Sequence, residues 1–444
     1  MSQDRDELNK RRAAREARRK QKEAQKKKLR IQIALVAAGL LACILGVALL
    51  TGGETGETVQ APTAPPVETT APPTTEPPTE ATTSRFEGEK KQVIHIKATG
   101  DLNITNRTVN SADTDLGYDY TRPFMDVAPL LADADLTIMN LEGNICGEPY
   151  GSATMSAPKE LLTALKNAGV DVIQMANSYS IYNGMIGLTQ TLDQIRQAGM
   201  EPLGAYANES EFRRGKGYTI CQVQGVKVAL VAFTKGMGSL GLPSGSENCV
   251  NVLYTDYATT YRKVDKDKIK SILKAAASEE PDITIALLHW GSEYNDVISD
   301  TQKEILKLMQ DNGVDAIIGN HSHMVHEVSL DSETGFFVAY SLGDFFGDGT
   351  RGGTSYSILL DLEITKDLET NTTKVTDFAV TPLYILSERE SADGNRRVVR
   401  IRETMAAYDV NFVDKVTGSA YENMKTSLTR INERIMPKAT DTKK

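Results

Sequence analysis

The sequence predicts an α/β fold with much parallel strand pairing, preceded by one transmembrane helix and a disordered linker. Three observations carry this. From Gln92 onward, apolar runs of strand length alternate with stretches of helical periodicity. Helices ending in Gly lead within two residues into apolar runs, as when a helix returns to a buried parallel strand. Residues 31–50 form a nearly unbroken apolar segment behind a basic flank.

The first 30 residues hold 13 Lys+Arg against 5 Asp+Glu, so the other 414, with 37 against 54, carry a net charge of −17. A body this acidic lacks the basic excess that neutralises phosphates, which argues against a nucleic-acid partner. Four Cys in 444 residues are too few for a disulfide scaffold.

The segment 31–50 reads IQIALVAAGLLACILGVALL, the length needed to cross a hydrocarbon core of ~30 Å. The positive-inside rule then places residues 1–30 in the cytoplasm as a basic tail and residues 51–444 outside the cell membrane. A cleaved signal peptide is the competing reading, disfavoured by the long charged leader and the missing small-residue exit. Leu40-Leu41-Ala42-Cys43 resembles a lipobox, but Ile44 and Leu45 prolong the apolar run past the cysteine. Residues 51–91 form the linker, whose Thr, Pro, Glu and Gly cannot bury enough surface to offset ordering entropy.

The body extends over 92–395. Strands are predicted at VIHIKAT (93–99), DLTIMN (135–140), DVIQMAN (171–177), KVALVAFT (227–234), DITIALLHW (282–290), DAIIGN (315–320) and FFVAYSLG (336–343). Helices are predicted over 122–134, 158–170, 187–200 and 301–314, with Pro158 suited to a first helical turn. After Ser355 the strands SYSILLDLEI and KVTDFAVTPLYIL follow closely and read as antiparallel, and 396–444 reads as a helical extension. Cys146, Cys221 and Cys249 leave room for one disulfide without choosing the pair, and Cys221 can equally be buried as a small hydrophobe.

In open α/β sheets ligands bind beyond the carboxyl ends of strands. The polar residues there are Asp101 and Asn103, Asn140 and Glu142, Asn177, Ser178 and Tyr179, His289, Trp290 and Glu293, His321 and His323, and Asp344. Of five His in the chain, four fall between 289 and 326, three of them directly after strands, where imidazole and carboxylate can together hold Zn, Mn or Fe. The bland alternatives are a hydrogen-bonded loop histidine at 289, a turn-stabilising Asp101, and capping roles for Asn140 and Glu142. His95, inside a strand, and His326 are read as structural, and Trp290 as a packing element or a platform.

The order of GD (100–101), NLE (140–142), AG–DV–AN (168–177), HWGSEY (289–294), GNHSH (319–323) and YSLGDF (340–345) resembles the CapA family of poly-γ-glutamate capsule biosynthesis proteins, within the calcineurin-like metallophosphatase superfamily. The resemblance covers about residues 93–350. It implies a four-layer α/β/β/α metallophosphatase-like sandwich and a role in making or exporting poly-γ-glutamate or a related capsule polymer. One or two divalent ions (Mn, Zn or Fe) would be held by Asp101, Glu142, His289, His321 and His323. Tyr179, His289 and Glu293 become the candidate catalytic residues, and Asn177, Trp290 and Tyr294 the candidate substrate contacts. The implied partners are the anionic polymer or its precursor, other envelope biosynthesis proteins, and the membrane through 31–50.

The chain departs from the family at one motif. Where the family has Ala-Asn-Asn-His followed by an Asp, this sequence reads Ala176-Asn177-Ser178-Tyr179, with Tyr182 in place of the Asp. In the superfamily that second Asn helps bind metal and that His assists the leaving group. The usual YSLGN is YSLGD here, so Asp344 brings a carboxylate where an amide is expected. A metal-dependent hydrolase, a degenerate member that binds polymer or partners without turnover, and a phosphoesterase unrelated to capsule therefore all stay open.

Overall fold

Along the strand Val226–Thr234, alternate residues enter two different cores. Val228, Leu230 and Ala232 join one, while Ala229, Val231 and Phe233 join the other. A strand with both faces buried must lie inside a layered structure, because successive side chains point to opposite faces. The computed structural model describes residues 90–410 and 416–436. The basic tail, the apolar segment 31–50 and nearly all of the linker lie outside the described residues. Among the described residues, no helix is long and apolar enough to cross a membrane.

In chain order the strands are β1 (Lys91–Asn103), β2 (Asp113–Thr114), β3 (Gly117–Tyr118), β4 (Leu136–Glu142), β5 (Val172–Gln174), β6 (Glu201–Leu203), β7 (Tyr218–Val223) and β8 (Val226–Thr234). They continue as β9 (Ile283–His289), β10 (Ala316–Asn320), β11 (Val328–Leu330), β12 (Phe337–Ala339), β13 (Asp344–Phe346), β14 (Tyr356–Asp367), β15 (Thr372–Leu386) and β16 (Arg397–Arg400). One sheet runs β16-β15-β14-β1-β4-β5-β6, with β13 beside β1; the other runs β11-β12-β10-β9-β8-β7. β1, β4, β5 and β6 are parallel, as are β8, β9, β10 and β12. β14, β15 and β16 are antiparallel, as the close spacing after Ser355 predicts.

The inner faces of both sheets share one core. The outer face of the second sheet packs on the helices Lys266–Ala277 and Asp300–Gln310 through Ile269, Ile272, Leu273, Ile305 and Met309. The helix Gly184–Gln197 packs by β6, and the helices Ile401–Asp409 and Gly418–Ile435 pack on β15. The result is an α/β sandwich. In the last helix Ala420, Met424, Ser427 and Ile431 are buried at helical spacing, a stripe that holds it to the sheet. The first sheet extends to Arg400, beyond residue 395.

Two helices end as their sequences predict, with Gly169 and Gly199 at φ +97° and +79°, a conformation that costs glycine little. The predicted helix over 122–134 is instead two short ones, Thr121–Phe124 and Ala128–Ala132. Pro129 lacks an N–H and sits in the first turn of the second, where no bond is lost, whereas inside one continuous helix it would break one. All three described cysteines are free, so no disulfide forms among them.

Candidate metal centre

Parallel register carries the candidate ligands to one edge of the sandwich. Asp101 on β1 lies beside Asn140 on β4 and Asp344 on β13, and Asn103 lies beside Glu142. In the second sheet His289 closes β9 beside Asn320, and His321 and His323 follow β10. Gly100 permits the approach of β13: a Cβ there would lie 1.8 Å from the Gly343 carbonyl oxygen, which accepts from the Asp101 N–H at 2.9 Å.

Two ligand sets result, Glu142 with His289 and His321, and Asp101 with His323 and Asp344. Within each set the candidate ligand atoms lie within 4.8 Å of one another, and all six residues are buried. His289 Nε2 is 3.0 Å from Glu142 Oε1, 3.0 Å from His321 Nδ1 and 3.1 Å from Ser178 Oγ. His323 Nδ1 is 2.8 Å from Asp344 Oδ1 and 3.8 Å from Asp101 Oδ2. Around these, Asn140 Nδ2 donates to Asp101 Oδ1 at 2.6 Å, the His321 N–H to Asp101 Oδ2 at 3.1 Å, and Asn103 Nδ2 to Asp344 Oδ1 at 2.9 Å. His321 and His323 hold φ of +97° and +60°, backbone strain of the kind that collects at functional sites.

Burial governs the electrostatics. It pushes the Glu142 carboxyl up to about 8, aided by Asp344 and Glu293. Asp101 rises well above the usual carboxylate range through burial and the nearby Glu142. Burial drives His289 and His321 well below the usual imidazole value, which favours their neutral rings. Burial would lower His323 too, but Asp344, Glu142 and Asp101 overcome it and hold its imidazolium up to about 11. Both Glu142 oxygens and His289 Nδ1 are buried without a hydrogen bond. Burying carboxyl and imidazole groups together is costly unless a cation meets them, and this nitrogen and oxygen donor set suits Zn, Mn or Fe. The residues present therefore fit a metal ion.

Two clefts open onto the ligands. One of about 570 Å³ is lined by Ser178, Tyr179, Lys235, Glu293 and His321. The other, of about 360 Å³, is lined by Tyr179, Tyr294, His323, Asp344 and Arg351. Tyr179 borders both, and burial pushes its phenol above the usual range. Tyr294 stacks on His323 at 5.0 Å between ring centres, and the Arg351 guanidinium covers its other face at 4.0 Å.

The structure thus brings Asp101, Glu142, His289, His321 and His323 together, and places Tyr179, Glu293 and Tyr294 along the clefts. Two expected substrate contacts are buried. Trp290 is buried in the outer core, stacked on Tyr340 and donating from Nε1 to its carbonyl at 3.0 Å. Asn177 is buried beneath the site: its Nδ2 donates to Asn140 Oδ1 at 3.1 Å and Leu141 O at 2.7 Å, and its Oδ1 accepts from the Tyr179 N–H. It therefore orients Asn140 rather than a substrate. Lys235 and Arg351 escape the sequence reading. Lys235 directly follows β8 and was open to the same strand-end rule; Arg351, in a glycine-rich loop, carries no such signal.

A two-sheet α/β sandwich with clustered His, Asp and Glu at its strand ends defines the class. The family model for the bacterial capsule synthesis protein PGA_cap matches residues 95–348, and the chain belongs to that family. It is 28% identical to the capsule biosynthesis protein CapA of Bacillus anthracis over 303 residues, 67% of this chain and 68% of that one. It is 26% identical to the PGA biosynthesis protein CapA of Bacillus subtilis over 292 residues, 65% of this chain and 72% of that one. Among solved structures it is similar to the calcineurin-like phosphoesterase YfkN from Bacillus subtilis, with 16% identity, a TM-score of 0.39, and coverage of 77% of this chain and 97% of that one.

Proposed function

We propose that the protein is a membrane-anchored, extracytoplasmic capsule-synthesis protein that acts on poly-γ-glutamate or a related anionic polymer, through a metal-dependent hydrolase-like site. The named roles of its relatives in capsule and PGA biosynthesis support the polymer class. The anchoring rests on the apolar segment 31–50 and its one-sided basic flank. The observation that carries the site is the packing of Glu142 with His289 and His321, and of Asp101 with His323 and Asp344, as two buried sets whose candidate ligand atoms lie within 4.8 Å of one another.

Glu142, His289 and His321 would hold one ion, and Asp101, His323 and Asp344 a second. Bound there, Zn, Mn or Fe supplies Lewis acidity toward a phosphoryl or acyl oxygen and acidifies water. The chain supplies the rest. Asn140, the His321 N–H and Asn103 fix the carboxylates, and Lys235 and Arg351 place positive charge in the two clefts, where an anionic substrate enters.

A binding role without turnover is the second reading, favoured by one observation. The group beside the ligands where the family carries a histidine is a phenol whose pKa burial raises, a poor proton donor at neutral pH. Metal analysis of the purified full chain tests the first reading. We expect bound Zn, Mn or Fe, lost on His321→Ala with His323→Ala while circular dichroism stays unchanged. Absence of all three metals from every preparation of the parent overturns the metal reading.

A further inference from the structure

A third cleft, of about 830 Å³, adjoins the 360 Å³ cleft at Asp348 and Gly349 and is formed partly by chain beyond the family match. It is bounded by the loop around Asp348, the end of β15 and the helix Gly418–Ile435. Arg107, Arg389, Arg396 and Arg430 line it. We propose that this cleft binds successive carboxylates of a linear polyanion and leads that polymer to the metal centre. The identity of the polymer, poly-γ-glutamate or a close relative, rests on the function proposed above.

Charge accounting makes the first argument. Four arginines share the cleft with three carboxylates, Asp348, Glu388 and Glu390, an excess of one positive charge in an acidic body. Glu388 is taken in a two-pronged bond by Arg396, at 3.0 and 3.1 Å. Glu390 accepts from Tyr384 at 2.8 Å, from the Ser387 N–H at 3.0 Å and from Asn423 at 2.9 Å. Arg107, Arg389 and Arg430 are exposed, and none forms an ion pair with a described residue. Arg107 also lies near enough to Glu388 to help lower its pKa, so Arg389 and Arg430 are the guanidiniums most open to a ligand, and guanidinium is the group best shaped for paired contact with carboxylate.

Continuity makes the second. Asp348 and Gly349 line both this cleft and the 360 Å³ cleft that holds Arg351, Tyr294 and His323. The shared wall is fixed by Arg396, nearly fully buried, whose Nη1 donates to the carbonyls of Gly347 and Asp348 at 2.9 and 3.1 Å. A polymer bound at Arg107, Arg389 and Arg430 can thus pass Arg351 on its way to the ligands. The other basic group in the body, Arg213, Arg214 and Lys216, lies on and after the helix Glu209–Gly215, which does not line either cleft.

The test uses the purified full chain and fluorescein-labelled poly-γ-glutamate, read by anisotropy at two salt concentrations. Arg389→Glu with Arg430→Glu should weaken binding by about tenfold or more and flatten its salt dependence. Metal content and thermal unfolding should match the parent, since both residues are exposed and unpaired. Arg213→Glu with Arg214→Glu should leave binding unchanged. Parental affinity in the first variant, an equal loss in the second, or no polymer binding by the parent would each overturn the proposal. Metal content separates the two readings. A parent that takes up metal but ignores the polymer removes the cleft and spares the metal centre. A parent without metal whose polymer binding depends on Arg389 and Arg430 does the reverse.

Discussion

At position 178 the chain presents a hydroxyl 3.1 Å from His289 Nε2 and 3.4 Å from His321 Nδ1, aimed into the ligand set from where the family places a carboxamide. A neutral serine oxygen still reaches a cation there, but more weakly than an amide oxygen. Beside it, Tyr179 withholds its proton at neutral pH. General acid assistance contributes typically ~10²–10⁴-fold, so hydrolysis of a generic phosphoester such as p-nitrophenyl phosphate should be weak in the parent. Ser178→Asn with Tyr179→His should raise it by up to that factor at equal metal content. A parent already as fast as the double variant removes the argument from these two residues. The clustering of the candidate ligands was legible because each is a polar residue closing an apolar run, and parallel pairing aligns such ends. Asn177 and Trp290 meet the same criterion yet face inward. A strand's end tells where a residue lies, whereas its side chain's direction depends on the turn that follows.

Among the close approaches of elements at this site is that of β13 to β1 across Gly100 and Gly343. Asp101 and Asp344 belong to the same ligand set only because no side chain separates these backbones. Gly100→Ala should therefore destabilise the protein by about 1–3 kcal/mol in urea unfolding, the usual range for overpacking. It should also lower metal stoichiometry by displacing β13. Gly241→Ala, whose added Cβ would meet nothing closer than the Ala258 Cβ at 4.0 Å, is the neutral control. Equal behaviour of the two variants would show that the approach is not needed. Most elements were readable from apolar runs and Gly-ended helices, since local pattern and tertiary burial agree there. The pairing of β13 with β1 was not. It joins residues far apart in the chain through a three-residue strand, too short for any period to show.

Over the whole molecule the charge is divided, with a basic excess confined to residues 1–30 and a net −17 beyond them. Within that acidic body the arginine cleft draws on positions 107, 389, 396 and 430, which only the fold makes neighbours, so no run in the sequence shows it. The basic excess has a different use. Lys and Arg next to an apolar span resist translocation, so under the proposed anchoring a flank present on one side only would commit the chain to one orientation. Residues 51–444 would then stand outside the cell, with the folded body joined to the span through a Thr/Pro-rich stretch whose composition predicts a protease-sensitive linker. Protease added to intact, wall-stripped cells should release the folded body as a fragment cut within that stretch and leave the basic tail protected. The fragment should stay soluble after membranes are sedimented, and antibodies to each end of the chain would score the two outcomes separately. If the body is protected while the tail is digested, the orientation is reversed, and an extracellular polymer could not reach either the arginine cleft or the metal centre.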